Sequence, residues 1–156
     1  MGKKVKQSTI KYYLYYWIPP IVWAIIIFGF SANPTGKVGS SYLLDFAVKK
    51  IVHIVEYAIF TLLIYRGLIK SEFDKKNSGY WSIFMAFIYG LSDEFHQSFT
   101  PGREPTIRDV IFDTLGGSLA IYFIWNILPK LSRFKFIKII LGFIYGDKKK
   151  SLSGSK

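Results

Sequence analysis

Between residues 12 and 128 the chain is built from four long apolar runs, and the charged residues that break them gather at matching ends of three. An α-helix rises about 1.5 Å per residue and the hydrocarbon core of a bilayer is roughly 30 Å thick, so about 20 apolar residues suffice to cross it. Residues 12–30, 46–66, 80–97 and 107–128 meet that length. The composition agrees: the chain is 51% hydrophobic and 19% aromatic, with a mean hydropathy of +0.26. A soluble domain rarely carries so much apolar material. The expected class is all-α: a polytopic integral membrane protein with four transmembrane helices and a C-terminal basic interfacial helix.

The connections follow from turn chemistry and charge. Residues 1–11 form a basic N-terminus with Lys3, Lys4, Lys6 and Lys11. A cleaved signal is the rival reading of the first run, but bulky aromatics continue to its end where a small-residue cleavage site belongs. Pro19-Pro20 is expected to kink this span, which membrane helices tolerate. Residues 31–36 read as a loop, and residues 66–79 as a polar loop holding Arg66, Lys70, Lys75 and Lys76. Gly116-Gly117-Ser118 marks close helix contact. Residues 131–145 are too short and too charged to span and read as an amphipathic surface helix. With the solvated basic tail they complete a cytoplasmic segment, residues 129–156.

With no cysteine in the sequence, disulfides, thiolate metal sites and thiol nucleophiles are excluded. The net charge of +11 raises nucleic acid as a partner, but the basic residues flank apolar spans and face lipid instead. No nucleic-acid partner is expected; the bilayer is. If the N-terminus is cytoplasmic, sixteen of the 21 lysines and arginines lie on the cytoplasmic side. The positive-inside rule therefore places both termini in the cytoplasm, in a multi-pass protein.

That topology brings three polar segments to one outer layer. Lys49, Lys50, His53 and Glu56 open the second span, with His53, Glu56 and their neighbours on one helical stripe. Asp93, Glu94, His96 and Gln97 close the third span. Asp93, His96 and Gln97 share a face there, and Glu94 is turned about 100° away toward another helix. Arg103 and Arg108 flank the turn, and Asp109 and Asp113 share a face at the start of the fourth span. Ionisable groups beside lipid are expensive and mark a functional site by default.

Three chemistries use such a set. His53, Glu56, Asp93, Glu94, His96 and Asp109 are candidate ligands for a divalent metal. Asp93, Glu94, His96, Gln97 and Asp109 are candidates for acid–base work on a lipid-linked substrate. Arg103 and Arg108 suit its phosphate, since guanidinium binds phosphate as a fork, and Lys50, His53, Glu56, Tyr57 and Asp113 complete the substrate side. The third is an ion or proton path. The plain alternative is an ion-pair network that sets helix register, with Glu56 or Asp93 paired to Lys50 and Asp109 to Arg103. Single residues have plain readings too: Gly102 as turn geometry, Glu104 as a solvated acid, Tyr57 and Tyr89 as packing. There is no phosphate-binding glycine loop, nucleophile elbow or H-E-x-x-H zinc helix.

The run D-E-F-H-Q-S-F-T-P-G-R-E-P-T-I-R-D-V-I-F-D-T-L-G-G resembles the VanZ-like family of small bacterial membrane proteins, named for a teicoplanin-resistance protein. Asp93, Glu94, His96, Gln97, Pro101, Gly102, Arg103, Asp109 and Gly116 match its pattern in order and spacing. His53 and Tyr57 match an earlier His and Tyr element, and Phe30-Ser31 also fits. Asp113 departs from it, since Asn is commoner there. The resemblance covers most of residues 12–128. It implies a cell-envelope function, classically low-level resistance to teicoplanin without a change in its D-Ala-D-Ala target. The leading expectation is an outward-facing site that binds or acts on a phosphate-bearing lipid or cell-wall precursor. The rivals are a non-catalytic shielding or partner-binding protein and a proton- or ion-coupled transporter.

Overall fold

Ser41 starts the helix against which all the others pack. Its backbone is extended and its hydroxyl accepts from the Leu44 amide at 3.3 Å, an N-cap, and Asp45 in the first turn complements the helix dipole. This helix, α2, runs Tyr42–Lys70 and contacts α1 (Gly2–Ser31), α3 (Lys75–Gln97), α4 (Ile107–Tyr122) and α5 (Lys135–Tyr145). A π-helical turn, Phe123–Ile127, continues α4. The computed structural model describes residues 2–33, 41–103 and 105–145, with side chains from Ile10 onward. Among the described residues there is no strand, so the all-helical expectation holds. Glu104 and the solvated tail lie outside the described residues.

Two segments are long and apolar enough to cross a membrane: Ile10–Ser31, with mean hydropathy 1.6, and Ile107–Ile127, with 1.4. The first runs as one helix through Pro19 and Pro20. At 29 and 23 residues α2 and α3 also have the length, but charged groups interrupt them.

The bulk of α3 faces outward. Its buried side is Ser78, Ser82, Ala86 and Gly90, a ridge of small residues four apart. Tyr80, Trp81, Phe84 and Ile88 are exposed. Small residues allow close backbone approach, and this inversion of a water-soluble helix suits apolar surroundings. Directly after Gly90 the same buried side carries Asp93, Glu94 and Gln97. The helix starts at Asp74, which accepts from the Lys76 and Asn77 amides, both at 3.0 Å. The bond from the Asn77 amide leads in holding this exposed carboxyl below its usual range.

The patch at Gly116-Gly117 does what its composition predicts. A Cβ on Gly116 would overlap the Ile54 carbonyl oxygen, and one on Gly117 would crowd the Thr61 hydroxyl. The α4 backbone therefore lies directly on α2. One core cluster, around Tyr57, Phe60 and Ile64, sits between α1, α2 and α3. A second, around Tyr65, Ile121, Ile124 and Leu128, joins α2, α4 and α5.

The expected polar loop at residues 66–79 is a correction. Helix α2 continues to Lys70, and only 71–74 connect it to α3. Arg66 is 5% exposed, among the rings of Tyr15, Tyr16 and Phe143 at 5.3, 4.6 and 3.9 Å. Its Nε donates to the Phe143 carbonyl at 2.9 Å, and Lys70 Nζ donates to the Tyr145 carbonyl at 2.8 Å. These are carbonyls of the last turn of α5, satisfied by cations of another helix. Replacing Arg66 by Ala removes a charge-assisted bond and three ring contacts, worth about 2 kcal/mol together. We expect R66A to release α5, read as faster tryptic cleavage at Lys135 and Lys138, with R66K intermediate.

Candidate functional site

The polar ends of α2, α3 and α4 meet around a cavity of about 1010 Å³. Helix α2 supplies Lys49, Lys50, His53 and Glu56; α3 supplies Asp93 and Gln97; the α3–α4 connection and the start of α4 supply Gly102, Arg103, Thr106, Arg108 and Asp109. The end of α1, from Ile27 to Asn33, forms the remaining wall. The convergence expected from the three polar segments is therefore present.

Two cross-helix pairs tie α2 to α4. Lys50 Nζ bonds Asp109 Oδ1, and His53 Nδ1 lies 2.9 Å from Asp113 Oδ1. Both partners rise together in number, so α2 and α4 run parallel. The Asp113 carboxylate orients the His53 ring through Nδ1, on a residue that lines the cavity. Asp113 is 1% exposed and stands behind His53 rather than in the cavity. Gly90 makes room for it: a Cβ there would stand 3.3 Å from Asp113 Oδ2.

The hairpin between α3 and α4 is held by its own polar residues. Gly102 takes φ 81°, the left-handed turn conformation that favours glycine. Thr106 is the N-cap of α4, and its hydroxyl donates to Asp109 at 2.7 Å, three residues on. In the usual capping box that acid also takes the N-cap amide. Here Glu94 takes it instead, accepting from Thr106 N at 2.6 Å across the hairpin. Arg103 closes the far side, donating from Nε to the Asn33 carbonyl and from Nη2 to the Phe30 carbonyl, both at 3.0 Å. A cation at the C-terminus of α1 also complements its dipole.

Several sequence expectations change with this geometry. His96 is not in the cavity; its ring stacks on Phe28 of α1 with centroids 4.0 Å apart. Glu94 is a hairpin fastener, not a cavity-lining acid. Tyr57 is fully buried against Phe60 and Tyr89 and belongs to the core. Lys50 pairs with Asp109, not with Glu56 or Asp93, and Arg103 pairs with carbonyls, not with Asp109. The candidate metal set of His53, Glu56, Asp93, Glu94, His96 and Asp109 does not assemble. Among the described residues no three His, Asp or Glu side chains group as a metal-binding set.

Sequence reasoning missed Thr106, and it marked the α1 wall only at Phe30-Ser31. The T-x-x-D spacing of Thr106 and Asp109 is a cap signature that marks the start of α4. The rest of the α1 wall carries no charge and has no comparable signal.

Arginines without an ion pair and carboxylates share what remains of the cavity lining. Arg108 is exposed at the edge with its guanidinium 5.0 Å from the Phe46 ring centroid, and neither it nor Arg103 has a carboxylate partner among the described residues. Asp93 is 3% exposed and accepts from Gln97 at 2.9 Å. Such a cavity can hold an anion at its edge and donors or a cation within.

No curated protein and no solved structure matches the chain. The model of the VanZ/LLP1 family matches residues 3–129. The chain belongs to that family.

Proposed function

We propose that this VanZ/LLP1 protein is a cell-envelope membrane protein whose cavity receives the phosphate-bearing head group of a lipid or lipid-linked cell-wall precursor. The observation that carries this reading is the pair Arg103 and Arg108, two guanidiniums in the lining of a polar cavity with no carboxylate partner among the described residues. Guanidinium matches phosphate geometry, and apolar helix surface beside the cavity suits acyl or prenyl chains.

In this proposal α1 to α4 cross the bilayer, the hairpin faces outward and both ends of the chain are cytoplasmic. The parallel run of α2 and α4 supports it, because alternate helices of a four-crossing chain point the same way. The bias of lysine and arginine and the outward bulk of α3 support it as well. In this proposal, handling of a precursor at the outer leaflet would contribute to teicoplanin tolerance without a change in the D-Ala-D-Ala target. A second reading, shielding without chemistry, draws on one observation: Lys50 and Asp109 are already satisfied by protein partners.

The absence of cysteine makes the test direct. Single cysteines at Ser98, beside the hairpin, and at Asn33, in the cavity wall, should both react in whole cells with a membrane-impermeant maleimide. A cysteine at Ser132 should react only after permeabilisation. In purified protein, a short-chain phosphatidic acid should slow labelling at position 33 and leave position 98 unchanged. Labelling of Ser132→Cys in intact cells, or no protection at position 33, would refute the proposal.

A further inference from the structure

Beside the paired Lys50 and Asp109, the cavity is lined by charged groups that have no ion-pair partner among the described residues. Arg103 and Arg108 mark the edge. On the same wall as His53, the half-buried Glu56 carboxylate makes no hydrogen bond or ion pair among the described residues. Asp93 is 3% exposed, lines the same cavity, and has a fully buried Oδ1 with no partner. The lysines that reach this wall are engaged, Lys50 with Asp109 and Lys49 with Asp45 at 2.7 Å.

A carboxylate kept from water needs a counter-charge or donors. Hydroxyl groups on a ligand supply donors but leave the charge in place. An ammonium supplies both. We infer that the head group carries an ammonium beyond its phosphate, with the phosphate at Arg103 and Arg108 and the ammonium against Glu56 and Asp93. The ligand class is thus an amine-bearing phosphodiester lipid rather than an anionic one. Ile27, Phe30, Val48 and Val52 line the remainder and suit its apolar part. This inference rests on the reading of the cavity as a phosphate site and specifies what lies past the phosphate.

The test is a matched pair of soluble short-chain lipids with the same phosphodiester: a phosphatidylethanolamine and a phosphatidylglycerol. Each is titrated calorimetrically into purified full-length protein, and the affinity ratio is read within each variant, so partial loss of folded protein does not bias it. The ethanolamine lipid should bind about tenfold tighter, the size of one added charge-assisted bond. Glu56→Gln should bring the ratio close to one, and Asp93→Asn should lower it. Equal affinities in the unmodified protein, or a ratio unchanged in both variants, would overturn the ammonium assignment and leave the phosphate site standing. Binding of neither lipid would overturn both.

Discussion

Gly116→Val is expected to be the most damaging single substitution in the helix bundle. The added Cβ meets the Ile54 backbone, which cannot rotate away as a side chain can. Overpacking of a tight contact costs about 1–3 kcal/mol, and a backbone neighbour puts this case at about the upper end. Relief requires α4 to move off α2, and those two helices carry both cross-helix pairs, Lys50 with Asp109 and His53 with Asp113. The expected readout is a lower melting temperature in detergent together with loss of lipid binding. Gly29→Ala is the control: a Cβ there meets nothing within 4 Å, and replacing a helical glycine gains about 0.5–1 kcal/mol. If both variants melt alike, the direct α2–α4 contact is wrong.

Lys50→Met is expected to be nearly as costly. It strands Asp109, whose side chain is 14% exposed, with only the Thr106 hydroxyl as a remaining partner. Removing one member of a fully buried pair costs about 3–5 kcal/mol; this half-buried pair keeps some solvent, so the loss falls below that range, at about 2 kcal/mol. The combination of Lys50→Met with Asp109→Asn removes both charges and should be more stable than Lys50→Met alone, with a coupling of about 2 kcal/mol in the cycle. Additive losses, measured by denaturation in the same detergent, would show that the pair contributes nothing.

Much of the architecture was legible because a bilayer allows few solutions. Run length, charge placement and the Gly116-Gly117 patch located the helices and their closest contact. The site was legible as a set of residues but not as a set of partners. A helical stripe orders side chains around one axis and says nothing of how neighbouring helices are rotated against it. His96 illustrates this. It lies about 60° around the helix from Asp93, close enough to count as the same face, yet that offset sends it to Phe28 of α1. Glu94, about 100° from Asp93, was rightly separated from that face, and its destination at the Thr106 amide lay in another helix. From the sequence Arg66 reads as loop, because a charge usually ends an apolar run. The rings of Tyr15, Tyr16 and Phe143 that enclose it come from distant helices. Asp113, from another helix, is the residue that orients His53.

The central claim is that Arg103 and Arg108 make the cavity a phosphate head-group site. Arg108 offers the cleaner variant, since its guanidinium carries no hydrogen bond to protein among the described residues while Arg103 also fastens α1. The deciding measurement is equilibrium binding of a soluble short-chain phosphatidic acid to the purified chain and to Arg108→Ala. A weakening of about tenfold or more, the loss of one charge-assisted contact, is the predicted result. Equal affinity in the two proteins, with both melting at the same temperature, would contradict it.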